Sequence, residues 1–206
     1  MLAAWTLEDM LKDLQSKDSR VLGILFVRPT TQIARSEIIP SLNYFWHRSG
    51  KHIDFYLPGY GAYWYGTYPS EDVVCKINGV EWSYSDTMFC KFVDLLERIS
   101  LWRYKGDTEL LLIDHSSEGL DFSNSITIWI EKAINDKAIQ STNSLLEALI
   151  QILKDGSDVF SVSDKLTINR LGNSIKDIFL ESLPLKLGTV LTQASYYCVK
   201  DLHKKG

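Results

Sequence analysis

Two hydrophobic rhythms divide this chain. Its first part carries short, unbroken or alternating apolar runs, and its later part spaces apolar residues three and four apart. VLGILFV (Val21–Val27) is continuous and rich in branched residues. Such a run predicts a strand covered on both faces, as in a parallel sheet. Arg28-Pro29 stops it. Around Leu42, the residues Ile38, Ile39, Phe45 and Trp46 fall within ~60° on a helical wheel, which predicts a helix. Pro40 interrupts that helix, so a kink or a late start near Ser36 is expected, with Gly50 as its stop. HIDFYL (His52–Leu57) alternates as a second strand, completing a strand–helix–strand crossover. Ahead of these, Thr6 can cap a short helix whose apolar stripe is Leu7, Met10, Leu11 and Leu14.

VVCKI-NG-VEWSY (Val73–Tyr84) is the clearest local signal. Asn78-Gly79 supplies the two positive-φ residues of a type I′ hairpin turn between β-branched and aromatic flanks. Asp86 can then cap a helix carrying Phe89, Phe92, Val93, Leu96 and Ile99, and ELLLID (Glu109–Asp114) reads as a third buried strand. From Ser123 onward the spacing turns helical: Ile126, Trp129, Ile130, Ala133 and Ile134, then Leu145, Leu146, Leu149, Ile150 and Leu153. Two further helices are expected over 164–182 and 188–202, separated by Pro184. The pattern predicts an α/β fold: a short, mainly parallel sheet of about three strands, a β-hairpin at its edge and a helical C-terminal half. It divides the chain into an α/β domain at 1–122 and a helical subregion at 123–206 packed on it.

Composition narrows the function. The 206 residues are 45 % apolar and 23 % charged, with a net charge of −4, ordinary values for a soluble globular chain. The balance offers no general attraction to phosphate backbones, which disfavours direct nucleic-acid binding. There is no signal-peptide pattern at the start and no apolar run near the ~18 residues of a membrane span. Three widely spaced cysteines, Cys75, Cys90 and Cys198, form no CxxC and no disulfide framework. That usage suits a reducing cytoplasm.

Several chemistries lack their motifs. GxxxxGK[ST] and GxSxG do not occur, and RPTTQIARSE after the first strand holds no glycine for a Rossmann turn. The four histidines share no zinc-ligand spacing, so no metal and no cofactor are expected. What remains is a set of polar residues placed after the predicted strands. If the strands are neighbours, Arg28, with Arg35 nearby, Tyr60, and Asp114, His115 and Glu118 share one rim. There an arginine can clamp an anion, a ring can stack on a base, and an acid can act on a bond. Against this, Arg35 also reads as an end-of-helix ion pair. Asp54 interrupts its strand and, if buried, should pair with Arg or His.

The second feature is FYLPGYGAYWYGTY (Phe55–Tyr68), in which seven of fourteen residues are aromatic against 12 % for the chain. Residues 53–75 contain no lysine or arginine, whereas single-strand nucleic-acid platforms interleave rings with bases. Tyr60, Tyr63, Trp64, Tyr65 and Tyr68 therefore read as a protein interface, where tyrosine and tryptophan are favoured anchors. The leading functional expectation is a non-catalytic accessory or binding subunit of a cytosolic assembly, with a protein partner. The alternative is a nucleotide- or nucleoside-binding enzyme, resembling a glycosyl-bond hydrolase in its chemistry, with a small nucleotide ligand at the strand ends.

Overall fold

The computed structural model describes residues 2–4, 6–17, 20–49, 53–63, 66–68, 71–116, 119–155 and 197–204. Its elements are β1 (Leu2–Ala4), α1 (Leu7–Gln15), β2 (Arg20–Phe26), a π-helical turn (Ala34–Ile38), α2 (Ile39–Arg48), β3 (Asp54–Pro58), β4 (Tyr60–Ala62), β5 (Glu71–Ile77), β6 (Val80–Ser85), α3 (Asp86–Ile99), β7 (Glu109–Ser116), β8 (Gly119–Trp129), α4 (Ile130–Asn135), α5 (Thr142–Asp155) and β9 (Tyr197–Lys200). They make an α/β fold with two β-sheets.

The main sheet has six strands in the order β1-β3-β2-β7-β8-β9. β3 pairs in parallel with both β1 and β2, but β7, β8 and β9 are joined by antiparallel pairing throughout. The expected short, mainly parallel sheet is therefore corrected to a larger mixed one. β2 is central and apolar on both faces, with Leu22, Ile24, Leu25 and Phe26 all buried. Burial on both faces specifies a central strand; it does not specify the direction of its neighbours. Gly23 lies within the strand because its neighbour needs the space: a Cβ there would fall 2.5 Å from the Phe55 ring.

A second correction concerns residues 123–134. Ile126 and Ile128 are buried, and so are Ser125 and Thr127, which alternate with them. With both faces covered, period-two alternation disappears, and Ile126, Trp129, Ile130 and Ala133 acquire helical spacing by running a strand end into α4. At the other end of the chain, Tyr197–Lys200 is strand β9, registered on β8 from Ser125↔Lys200 to Ile128↔Tyr197, rather than the end of a helix. The helix expected over 164–182 lies outside the described residues. α5 forms as the spacing predicts, with Leu145, Leu146, Leu149 and Ile150 buried.

The hairpin forms with Asn78 at φ 50° and Gly79 at φ 78°, but it does not edge the main sheet. With β4 it makes a separate three-stranded sheet ordered β4-β6-β5. Gly59, at φ 77°, turns the chain out of β3 into β4. Its missing side chain admits α3, for a Cβ there would lie 2.8 Å from both Phe89 Cβ and the Ser85 carbonyl oxygen. The Ser85 N–H donates to the Gly59 carbonyl at 2.9 Å and completes the junction.

Helix ends follow local chemistry. Thr6 accepts from the Asp9 N–H at 3.1 Å, as expected. Before α2 the chain makes the wide π turn, so Pro40 falls in the first turn of α2, where its missing N–H costs no internal bond. α3 is capped by Ser85 through the Met88 N–H, not by Asp86. α1 and α3 pack together on the sheet face that carries Phe26 and Tyr56: Phe26 meets Phe89 and Phe92 edge-on, and the Tyr56 hydroxyl donates to Asp13 at 2.6 Å. α2 and α5 are tied by Arg48–Glu147 at 3.1 Å and by an Asn143–Ser41 hydrogen bond at 2.8 Å.

Candidate functional site

β2 and β3 run parallel, so their carboxyl ends deliver side chains to one rim. β2 delivers Arg28, and β3 passes through Gly59 to Tyr60. Because Ser85 takes the cap of α3, the Asp86 carboxylate is free to face Arg28. Arg28 Nε lies 3.0 Å from Asp86 Oδ1, as an ion pair rather than an aligned hydrogen bond. The Tyr84 hydroxyl donates to the same oxygen at 2.9 Å. Arg28 Nη2 reaches Cys90 Sγ at 3.4 Å, one helical turn beyond Asp86. The guanidinium carbon stands 4.8 Å from the Phe89 ring centre and 5.9 Å from that of Tyr104, in cation–π contact with both.

The electrostatics fit this packing. Burial works against the charge of Arg28, but Asp86, Tyr104 and Tyr84 together hold its pKa above the ordinary arginine value. Burial raises Tyr84, and the bond to Asp86 raises it further. Burial also pushes Tyr104 up to about 12 and Tyr60 well above the usual tyrosine value. All three phenols stay protonated at neutral pH. The cluster thus presents a neutralised, stacked guanidinium, not an open anion clamp.

The predicted site residues do not converge. Asp114 and His115 sit at the opposite end of the sheet, because β7 runs antiparallel to β2: Val21 pairs with Asp114 and Arg20 with His115. β2 carries the five residue steps from Val21 to Phe26, about 17 Å at 3.3 Å per residue, and Arg28 lies two residues past its end. Asp114 and His115 are also consecutive in a strand, so they point to opposite faces of the sheet. Burial, and then Asp121 opposite, pushes Asp114 up to about 6. Arg35 is exposed and donates to the Thr30 carbonyl, a local bond at the start of its helix. Glu118, Trp64 and Tyr65 lie outside the described residues. Tyr60 is fully buried, with its ring 4.9 Å from Tyr84, so it is neither an exposed interface residue nor a stacking surface for a ligand. Tyr68 is half-buried. Tyr63 is 85 % exposed and holds φ 64°, a conformation that tyrosine rarely adopts.

Sequence reasoning missed Tyr84, Tyr104 and Glu109, and it assigned Asp86 to a cap. One signal was available: in Ser85-Asp86 the serine is an equally good cap, which leaves the acid for another role. Asp54 is buried, as expected, but its basic partner is Lys17, 3.1 Å away, rather than the expected arginine or histidine. Among the described residues, no group of three His, Cys, Asp or Glu side chains could hold a metal ion, and no helix is long and apolar enough to cross a membrane. Comparison with models of known protein families, with curated proteins and with solved structures returned no match.

Proposed function

We propose that this chain is a non-catalytic binding subunit, joining a protein partner through the connection between β4 and β5. The observation that carries this reading is Tyr63. A large aromatic side chain, 85 % exposed, is held out by a left-handed backbone. Apolar exposure and backbone strain both oppose that placement in an isolated molecule, and a receiving pocket on a partner compensates both. Val73, on the outer strand β5 of the small sheet, is a second exposed apolar side chain, 44 % exposed.

The nucleotide-enzyme reading has less support. Its arginine is engaged by Asp86, its stacking tyrosine is buried, and its carboxylate is registered at the opposite end of β2. Affinity capture with the wild-type chain and a Tyr63→Ala variant tests the proposal. One defined partner is expected with the wild type, with at least tenfold less on the variant. A partner retained equally by Tyr63→Ala, or no partner at all, overturns it. A nucleotide-dependent rise in melting temperature would move support to the enzyme reading.

A further inference from the structure

Three carboxylates from three elements grip the segment that joins α3 to β7. The Tyr104 N–H donates to Glu97 of α3 at 2.8 Å, the Lys105 N–H to Glu109 of β7 at 2.8 Å, and the Thr108 N–H to Glu131 of α4 at 3.3 Å. The segment forms a strap whose Tyr104 ring lies over Phe26, Phe89 and Arg28. Of the three gripping acids, only Glu109 is fully buried. It stands between Phe26 of β2 and Trp129 of β8 in the ladder. Its Oε1 accepts from Lys105, while its Oε2 has no hydrogen-bond partner among the described residues. Lys105 Nζ sits 3.7 Å over the Trp129 ring.

We propose that the 103–108 strap is a proton-operated cover, closed over the aromatic cluster when Glu109 is protonated and released when Glu109 ionises. A neutral carboxyl at this position has its carbonyl oxygen satisfied by the Lys105 N–H and leaves only its own O–H without an acceptor among the described residues. An ionised carboxylate sealed between Phe26 and Trp129 needs more than that one donor, and it gains water only if the strap lifts. Lys105 and Asp107 on the strap act on Glu109 directly, and Tyr104 on its inner side faces Glu109 together with Asp107, Glu131 of α4 and Arg28. Lys105 favours the ionised form and Asp107 opposes it. Burial, with Asp107 acting in the same direction, outweighs Lys105 and pushes the carboxyl up to about 7 from an ordinary 4.5. Lifting the strap removes Tyr104 from the Arg28 guanidinium, so the proton controls exposure of that charge.

Amide hydrogen exchange of the full-length chain tests this, read on peptides spanning 103–108 and corrected for the intrinsic pH dependence of exchange. If ionisation drives opening, protection of the strap falls about tenfold between pH 6 and pH 8, the ratio set by a carboxyl titrating near 7 when closed and near 4.5 when open. Glu109→Gln keeps the neutral shape and is expected to remain protected at both pH values. Unchanged protection in the wild type, or an equal loss in Glu109→Gln, overturns the proposal. A carbon NMR titration of the Glu109 carboxyl in the wild-type chain decides independently of the variant. A midpoint near 7 is expected, and one in the ordinary glutamate range overturns the proposal.

Discussion

Lys17 Nζ stands 3.1 Å from Asp54 Oδ2, so a residue just past α1 neutralises a carboxylate sealed at the start of β3. The same ammonium lies 2.6 Å from Asp13 Oδ2 and 3.3 Å from the Tyr56 hydroxyl. Asp54 is only 4 % exposed at its side chain, so removing the cation takes a charged partner away from a buried carboxylate. Lys17→Met is expected to destabilise the fold by about 3 kcal/mol, measured as a lower denaturation midpoint at unchanged slope.

The Arg28–Asp86 pair is the contrasting case. Its side chains are 32 % and 55 % exposed, and water screens them. Asp86→Asn should cost no more than about 1 kcal/mol. A loss as large as that of Lys17→Met would mean that Asp86 organises the rim more strongly than its exposure allows.

Gly59 and Gly79 both adopt positive φ, but their surroundings differ. A Cβ at Gly59 meets Phe89 and the Ser85 carbonyl at 2.8 Å, while one at Gly79 meets nothing within 4 Å. Gly79→Ala should therefore cost only the left-handed strain of about 1 kcal/mol. Gly59→Ala adds a backbone clash that separates α3 from β3, and should cost about 3 kcal/mol or more. Equal effects in thermal melts would contradict the tight junction.

Glu109 also makes a prediction for global stability. Its folded pKa, about 7, is raised above its ordinary 4.5, so between these values the folded chain binds more protons than the unfolded chain. Stability therefore falls as pH rises from about 4.5 to about 7, by up to ~3 kcal/mol from this group. Asp114, raised to about 6, acts in the same direction. Denaturation curves at pH 5 and pH 7.5 should show a smaller difference for Glu109→Gln than for the wild type.

Tyr63 is expected to behave in the opposite way to a core residue. Tyr63→Gly relieves a positive-φ strain at an exposed position and should leave stability unchanged or raise it by up to about 1 kcal/mol. A clear loss would show that Tyr63 packs against this chain.

Local chemistry alone determined much of the protein. The Thr6 cap, the apolar run of β2, the extended run of β3 (though every one of its residues is buried, not alternate ones), the Asn78-Gly79 turn and the stripes of α3 and α5 each depend on residues close in the chain. Each is therefore legible from spacing and side-chain type. The candidate site was legible only in part: Arg28 was found, but Asp86, Tyr84 and Tyr104 reach it from three separate elements. Only tertiary structure decided the direction of β7, because a fully buried strand carries the same apolar run whichever way its neighbour points. That direction separates Asp114 from Arg28. It was likewise decided in three dimensions that Ser123–Trp129 is strand, since burial on both faces erases the two-residue period that would have announced it. The aromatic run was divided in the same way: Gly59 turns Tyr60 inward beside Tyr84 of β6, and the backbone at Tyr63 turns the next tyrosine outward, a difference of position that two identical side chains cannot encode by themselves.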